Sequence, residues 1–367
     1  MSTAWPYDAP PPALTDLLAA TAELVSIPSE SYEEAALADH IEGRLRVVPW
    51  LQVDRVADNV IARTSGVGPR TLLGGHLDTV PANGNARPVI RGETLHGLGA
   101  ADMKGGLAIM LHLAHTLESP RRPLTYVFYA AEEVRRADNG LLAIDAARPD
   151  LLVADVAILG EPTGAVIEAG CQGVLKAKVT LGGRRAHTAR PWMGVNAIHR
   201  LSPLLGAIAI APVREPTLDG CVFREALSVV SVGGGIAANV VPDSASLIVS
   251  HRYAPDRTDI QAESWLRDLL SAHLDVELGD TVEILERAPA AAPALGHPVL
   301  GALQRSTGAP ARAKLGWTDV AFFAGKGIPA ANFGPGDPEL AHTPQEHVER
   351  AALEATYRAL RQVLADP

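Results

Sequence analysis

The sequence predicts an α/β fold interrupted by a ferredoxin-like insert, and three observations predict it. Strand-like and helix-like segments alternate from Leu14 to Leu159, the signature of a sheet with crossover helices. From about Gly173 the order becomes β-α-β-β-α-β, the split unit of ferredoxin-like domains, and the α/β pattern resumes near Val299. Several of the strand-like runs end in His, Asp or Glu, where open α/β sheets place their sites.

Met1 to Pro12 is Pro-rich and reads as a loose arm. Leu14, Leu17, Leu18, Ala22 and Val25 recur at a helical period, with Thr15 or Asp16 near the start. Ser31 and Glu34 match a capping box ahead of a second helix, roughly Glu33 to Leu45. Strands follow at Val53–Val56, Val60–Arg63 and Thr71–Gly74, and a helix runs from Gly105-Gly106 to about Leu117. Pro120 and Pro123 bracket the turn into a strand at Leu124–Tyr129, and a further strand covers Val156–Leu159.

The insert reads as strand Leu175–Leu181, helix Asn196–Ile210, strands Leu227–Val232 and Ala245–His251, helix Ile260–His273 and strand Thr281–Leu285. Helices near Val299–Ser306 and Val348–Leu364 flank the apolar run Val320–Phe323. This divides the chain into a catalytic domain of residues 1–172 and 288–367, and an inserted domain of residues 173–287.

Composition excludes several classes. A net charge of −10, from 32 Lys+Arg against 42 Asp+Glu, argues against a nucleic-acid surface. Cys171 and Cys221 are the only cysteines, so neither a disulfide framework nor a thiolate zinc site is expected. No run approaches the length of a membrane span, and the N-terminal YDAPPPALTD lacks a basic, apolar signal region, so a cytoplasmic location is expected. GLGAADMKGG lacks the spacing and ending of a phosphate loop, and there is no Gly-x-Ser-x-Gly elbow. His112 and His115 lie three apart on an apolar helix and read as packed residues.

Chemistry concentrates at the strand ends. His76 and Asp78 alternate just past Thr71–Gly74, Asp102 sits in a Gly-rich turn, Glu132-Glu133 follow Tyr129, and Glu161 follows Leu159. A lone His-x-Asp is ordinarily a solvated turn; its repetition at three strand ends is not explained by solvation. With His342, the set His76, Asp102, Glu133, Glu161 and His342 is too large for one tetrahedral ion. It suits two ions, zinc first, sharing one carboxylate at a separation of roughly 3.5–4 Å. Asp102 is the natural bridge. A water between such ions has a lowered pKa and becomes a hydroxide nucleophile. Glu132, not needed as a ligand, suits a general base, and Asp78 suits an orienting partner of His76.

GGHLDTVP, GLGAADMKGG, AAEEV, GEPT and FGPGDPELAHTP together resemble the five sequence blocks of the co-catalytic zinc aminoacylase/carboxypeptidase family. The resemblance covers nearly the whole chain after the N-terminal arm. It implies one zinc on His76, Asp102 and Glu161, a second on Asp102, Glu133 and His342, and cobalt as a substitute at one site. It also implies Glu132 as general base and later acid, and a cis peptide after Asp102. The insert becomes by resemblance a lid that pairs two copies into a homodimer, with His187 reaching the partner's site to stabilise an oxyanion. Asn239, Arg252 and Thr318 match substrate-contacting positions; the alternative for Arg252 is an ion pair within the lid.

Two positions depart from the family pattern. Leu98 stands where an arginine is common, and Cys171-Gln172-Gly173 replaces Arg-Arg-Gly at the lid entrance, with Arg184, Arg185 or Lys176 as candidate substitutes. Within the family the likeness is greatest to members that hydrolyse N-succinyl-LL-2,6-diaminopimelate, so a small-molecule N-acyl amide is the expected substrate. An acetylornithine deacetylase or small-peptide carboxypeptidase would keep the chemistry and change the substrate. A non-catalytic metal-binding protein is the rival of a different class, and it would have no use for Glu132.

Overall fold

A computed structural model of the chain describes residues 16–365. The Pro-rich arm Met1–Pro12 and the expected helix start at Leu14 and Thr15 lie outside the described residues. The chain forms two compact units. One takes the residues up to Glu168, Leu295–Ala311 and the residues from Lys326; the other takes Ala169–Ala294 and Arg312–Gly325.

In the first unit α1 (Leu17–Val25) is capped by Asp16, whose Oδ1 accepts from the amides of Leu18 and Ala19 at 2.9 and 3.1 Å. The second helix, α2 (Ala35–Arg46), has no side-chain cap. The capping box expected at Ser31 and Glu34 does not form because the helix begins only after Glu34, which leaves Ser31 outside the N-cap position, and both side chains have other partners. Ser31 Oγ donates to Asp78 Oδ2 at 2.8 Å, and Glu34 Oε1 accepts from the amides of Tyr32 and Ala131 at 3.0 and 3.1 Å.

Next come the hairpin β1 (Leu51–Val56) and β2 (Asn59–Thr64), then β3 (Thr71–His76) and the short pair β4 (Val89–Arg91) and β5 (Thr94–His96). Helix α3 (Gly105–Thr116) leads to β6 (Leu124–Tyr129), α4 (Gly140–Ala147) and β7 (Val156–Leu159). On α3, His112 packs edge-on against Tyr357, with ring centroids 4.8 Å apart. The helix α4 was not legible in the sequence, since GLLAIDAA is too short to show a period.

The second unit contains β8 (Gly173–Gly182), α5 (Ala197–Ala209), β9 (Ala226–Gly234), β10 (Ser244–Tyr253), α6 (Asp259–Ser271) and β11 (Thr281–Ala288). This is the β-α-β-β-α-β order, and the sheet is antiparallel in the order β9-β10-β8-β11. Alternate residues of β8 and β10 point to one face. Leu175, Ala177, Val179, Leu181, Leu247 and Val249 there meet Leu201, Leu204, Leu266 and Leu270 of the helices in a single apolar cluster. A capping box does form here: Thr258 and Gln261 cap α6 reciprocally.

The chain returns to the first unit for α7 (Pro298–Thr307) and crosses back for α8 (Val320–Gly325). It ends in the first unit with β12 (Ala330–Asn332), β13 (His347–Glu349) and α9 (Arg350–Leu364). Strands of this unit lie in the order β1-β2-β6-β3-β7-β12. β3 is parallel to both β6 and β7, with His76 opposite Tyr129 and Gly74 opposite Leu159. That register brings three carboxyl ends to one edge. No helix among the described residues is long and apolar enough to cross a membrane.

Candidate metal centre

His76 is the last residue of β3, Glu132 and Glu133 follow β6, and Glu161 follows β7. The parallel register therefore places these ligand candidates side by side without any long-range adjustment of loops. Two glycines let the remaining pieces approach. A Cβ on Gly75 would lie 2.4 Å from the Met103 side chain, and one on Gly106 would lie 2.3 Å from the Gly160 carbonyl. The turn carrying Asp102 and Met103 thus rests directly on the strand ends. The Asp102–Met103 peptide is cis, as the resemblance implied.

The ligand atoms of His76, Asp102 and Glu133 lie within 4.8 Å of one another. His76 Nε2 is 3.1 Å from Asp102 Oδ1. On the other side of the same carboxylate, His342 Nε2 is 3.6 Å from Asp102 Oδ2 and 2.7 Å from Glu133 Oε1. Asp102 thus stands between two imidazoles, one oxygen toward each. His342 adopts a left-handed backbone, φ 63°, in the loop that delivers it. Glu161 is buried, and its charge acts on His76.

Asp78 lies beneath this group and is 1% exposed. Its main-chain oxygen is 3.0 Å from His76 Nδ1 and its Oδ1 is 3.5 Å from the same nitrogen. With Nδ1 committed to that contact, Nε2 faces the Asp102 carboxylate. The Asp78 carboxylate also accepts from the amides of Glu132 and Glu133, at 2.9 and 3.0 Å. Asp78 therefore fixes both the imidazole and the main chain of the neighbouring glutamates. Ser31 and Glu34 complete this support, and sequence reasoning missed them as site residues. Their spacing matched a helix-capping pattern, which concealed the role.

Electrostatics describe a site short of positive charge. Burial lowers the pKa of His76, but Asp102, Asp78 and Glu161 outweigh it and hold the ring well above its ordinary value. Hydrogen bonds to Asp102 and Glu133 raise His342 to about 10. Burial acts to raise Asp102, and the two histidines overcome it and hold the carboxyl below the usual range. Asp78 is likewise lowered, with His76 and the two amides outweighing its burial. The carboxylates thus favour positive charge at both imidazoles. Divalent cations would supply such charge, and a mixed imidazole–carboxylate set of this geometry fits zinc.

The other candidates lie in the second unit. His187 is exposed, and its Nδ1 accepts from the amide of Ala189 at 3.0 Å. The segment of Asn239 lies against the His187 loop: Thr188 N donates to Asn239 O at 3.1 Å, and Val241 N to Ala186 O at 2.8 Å. Arg252 is half-buried on β10, and Thr318 is buried just before α8. Of the suggested substitutes for the missing arginines, Lys176 pairs with Glu286 at 2.6 Å and Arg185 with Asp243 at 2.6 Å. Arg184 Nε donates to Met193 O at 3.2 Å. Gln172 is buried, its Nε2 donating to Arg224 O at 2.7 Å.

Residues 72–366 match the model of Peptidase family M20/M25/M40. A provisionally named succinyl-diaminopimelate desuccinylase DapE of Mycobacterium tuberculosis (strain ATCC 25618 / H37Rv) is 47% identical over 351 residues, 95% of this chain and 98% of its own. The succinyl-diaminopimelate desuccinylase of Corynebacterium glutamicum (strain ATCC 13032) is 41% identical over 360 residues, 96% of this chain and 97% of its own. Among solved structures, the Bacillus subtilis YXEP protein, described as a dinuclear metal binding peptidase from the M20 family, superposes with a TM-score of 0.69. It is 17% identical and covers 95% of this chain and 96% of its own. The ligand cluster at the sheet edge and these near-full-length likenesses lead to one assignment: the chain belongs to Peptidase family M20/M25/M40.

Proposed function

We propose that this protein is a zinc-dependent amidohydrolase that cleaves N-succinyl-LL-2,6-diaminopimelate to succinate and LL-2,6-diaminopimelate. The observation that carries the reading is Asp102 standing between His76 and His342, with Glu132 held next to Glu133 by the Asp78 carboxylate. The substrate rests on the names of the Mycobacterium and Corynebacterium relatives.

His76, Asp102 and Glu161 would hold one ion, and Asp102, Glu133 and His342 the other, with cobalt able to replace zinc at one of them. When bound, such ions polarise an amide carbonyl and lower the pKa of water. Glu132 takes the proton from the attacking water and later delivers it to the departing amine. Asp78 keeps the Glu132 main chain in place for both transfers. At His187, an Nδ1 that accepts leaves Nε2 as the protonated nitrogen, a donor suited to a developing oxyanion. In this reading His187 comes from a partner copy, and Asn239, Arg252 and Thr318 orient the substrate; a guanidinium suits its carboxylates.

A homodimer through the second unit is part of the same proposal. β9 is an edge strand of that unit's sheet, and it exposes Val230 at 59% and Val232 at 53%. A cytoplasmic location belongs to the same proposal, as suits a role in diaminopimelate biosynthesis. Rates on succinyl-diaminopimelate, acetylornithine and a dipeptide, measured side by side, test the substrate assignment. Preference for either of the latter two would move the protein to a deacetylase or carboxypeptidase role on the same scaffold.

A further inference from the structure

Glu346 is 2% exposed, and its Oε1 accepts from two consecutive amides, Ala101 N and Asp102 N, both at 3.0 Å. A carboxylate buried this deeply is costly unless hydrogen bonds compensate it. The two amides need an acceptor as well. Asp102 and Met103 have non-helical dihedrals, φ −121° and −133°, so this turn does not follow an ordinary helical ladder.

The main chain of Glu346 is fixed independently. It leads directly into β13, which pairs with β5 so that His347 lies opposite His96. Glu346 O accepts from Gly97 N at 3.1 Å, and Glu346 N donates to Thr343 O at 3.2 Å. One residue therefore grips the Gly-rich turn on both sides, its carbonyl at residue 97 and its carboxylate at residues 101 and 102. Four residues earlier the same segment presents His342, whose ring faces the other oxygen of Asp102.

We propose that Glu346 is a positioning residue for the bridging carboxylate. By fixing the two amides that lead into Asp102, it sets where the Asp102 oxygens stand relative to His76 and to the His342 loop. The inference rests on the reading of Asp102 as a shared metal ligand. Partners of this kind orient a ligand without touching the ion, and their loss lowers metal affinity by about 10–100-fold.

Zinc uptake by the full-length chain, measured against a competing chromophoric chelator with no substrate present, tests this. The parent is expected to take two zincs. Glu346→Ala is expected to lose about 10–100-fold in affinity for at least one of them, and Glu346→Gln, which keeps an oxygen acceptor, to recover most of it. On substrate, the alanine variant at partial zinc loading should lose kcat with KM unchanged. If the alanine variant does not fold, Glu346→Asp, one methylene short of the two amides, replaces it and should fall between parent and loss. Parental zinc affinity in a folded alanine or aspartate variant overturns the inference, as does a glutamine variant no better than alanine. A folded parent that takes up no zinc overturns the metal reading and this inference together, whereas failure on the succinyl substrate alone leaves the zinc result standing.

Discussion

His76 and His187 show two ways of presenting an imidazole. His76 is 1% exposed, held between the Asp78 main chain and the Asp102 carboxylate at the end of a strand whose neighbours fix its position. His187 stands in an exposed loop of the second unit, and its ring is set by a short-range contact to the amide of Ala189 two residues on. The first unit brings its ligand candidates together by strand register and buried carboxylates. The loop of the second unit leaves His187 Nε2 free to serve as the donor that the proposed mechanism assigns to it. On the proposed mechanism, metal binding should belong to the first unit alone, and turnover should need both.

The sharpest separation comes from Glu132. Glu132→Ala should lower kcat by about 10²–10⁴-fold and leave zinc stoichiometry at the parental value, checked by steady-state rates beside metal analysis. An equal loss of zinc would mean that Glu132 is a ligand. His187→Ala should lower kcat by roughly 10²–10³-fold with zinc affinity and thermal stability unchanged. Mixing it with an excess of inactive Glu132→Ala chains should restore part of the rate, because mixed dimers pair an intact His187 with an intact first unit. No recovery in demonstrably mixed dimers would remove the partner role.

Asp78→Asn should weaken zinc binding by about 10–100-fold, since it loosens His76 and the Glu133 main chain at once. Chelator competition reads this directly, and an unchanged affinity would limit Asp78 to the glutamate turn. The smallest effect concerns the second unit's stability. Asp280 accepts from Arg200 and from the amides of Gly182 and Asp275, which overcome its burial and lower its pKa. A carboxyl with a lowered folded-state pKa stabilises the protein fully above its ordinary value, and that contribution declines as pH falls from there through the lowered one. Asp280→Asn should cost about 1.5–3 kcal/mol at neutral pH, and the gap to the parent should close in acid. Unfolding curves at pH 7 and pH 3 check both statements.

Much of the first unit was legible because its strands are short apolar runs ending in His, Asp or Glu, a pattern that needs no knowledge of the fold. Leu124–Tyr129 and Val156–Leu159 were read with the bounds that the structure gives them. The second unit was legible through strict alternation in β8 and β10. What escaped was the support beneath the ligands. Ser31 and Glu34 looked like a cap, and Glu346 carried no signal of its own ahead of the last helix. Their partners lie 47, 97 and 244 positions away in sequence for Asp78, Ala131 and Asp102, so no local pattern could reveal them. Short pieces such as α4 and β4 carry too few residues to show a period.

The central claim is that a metal centre at the edge of the first unit's sheet hydrolyses a succinyl amide. Succinate release from N-succinyl-LL-2,6-diaminopimelate by the zinc-loaded protein, beside a chelated sample, tests it most directly. The account predicts release that disappears on chelation and returns with added zinc. Release that persists in the metal-free protein, or none from a folded chain carrying two zincs, would contradict it.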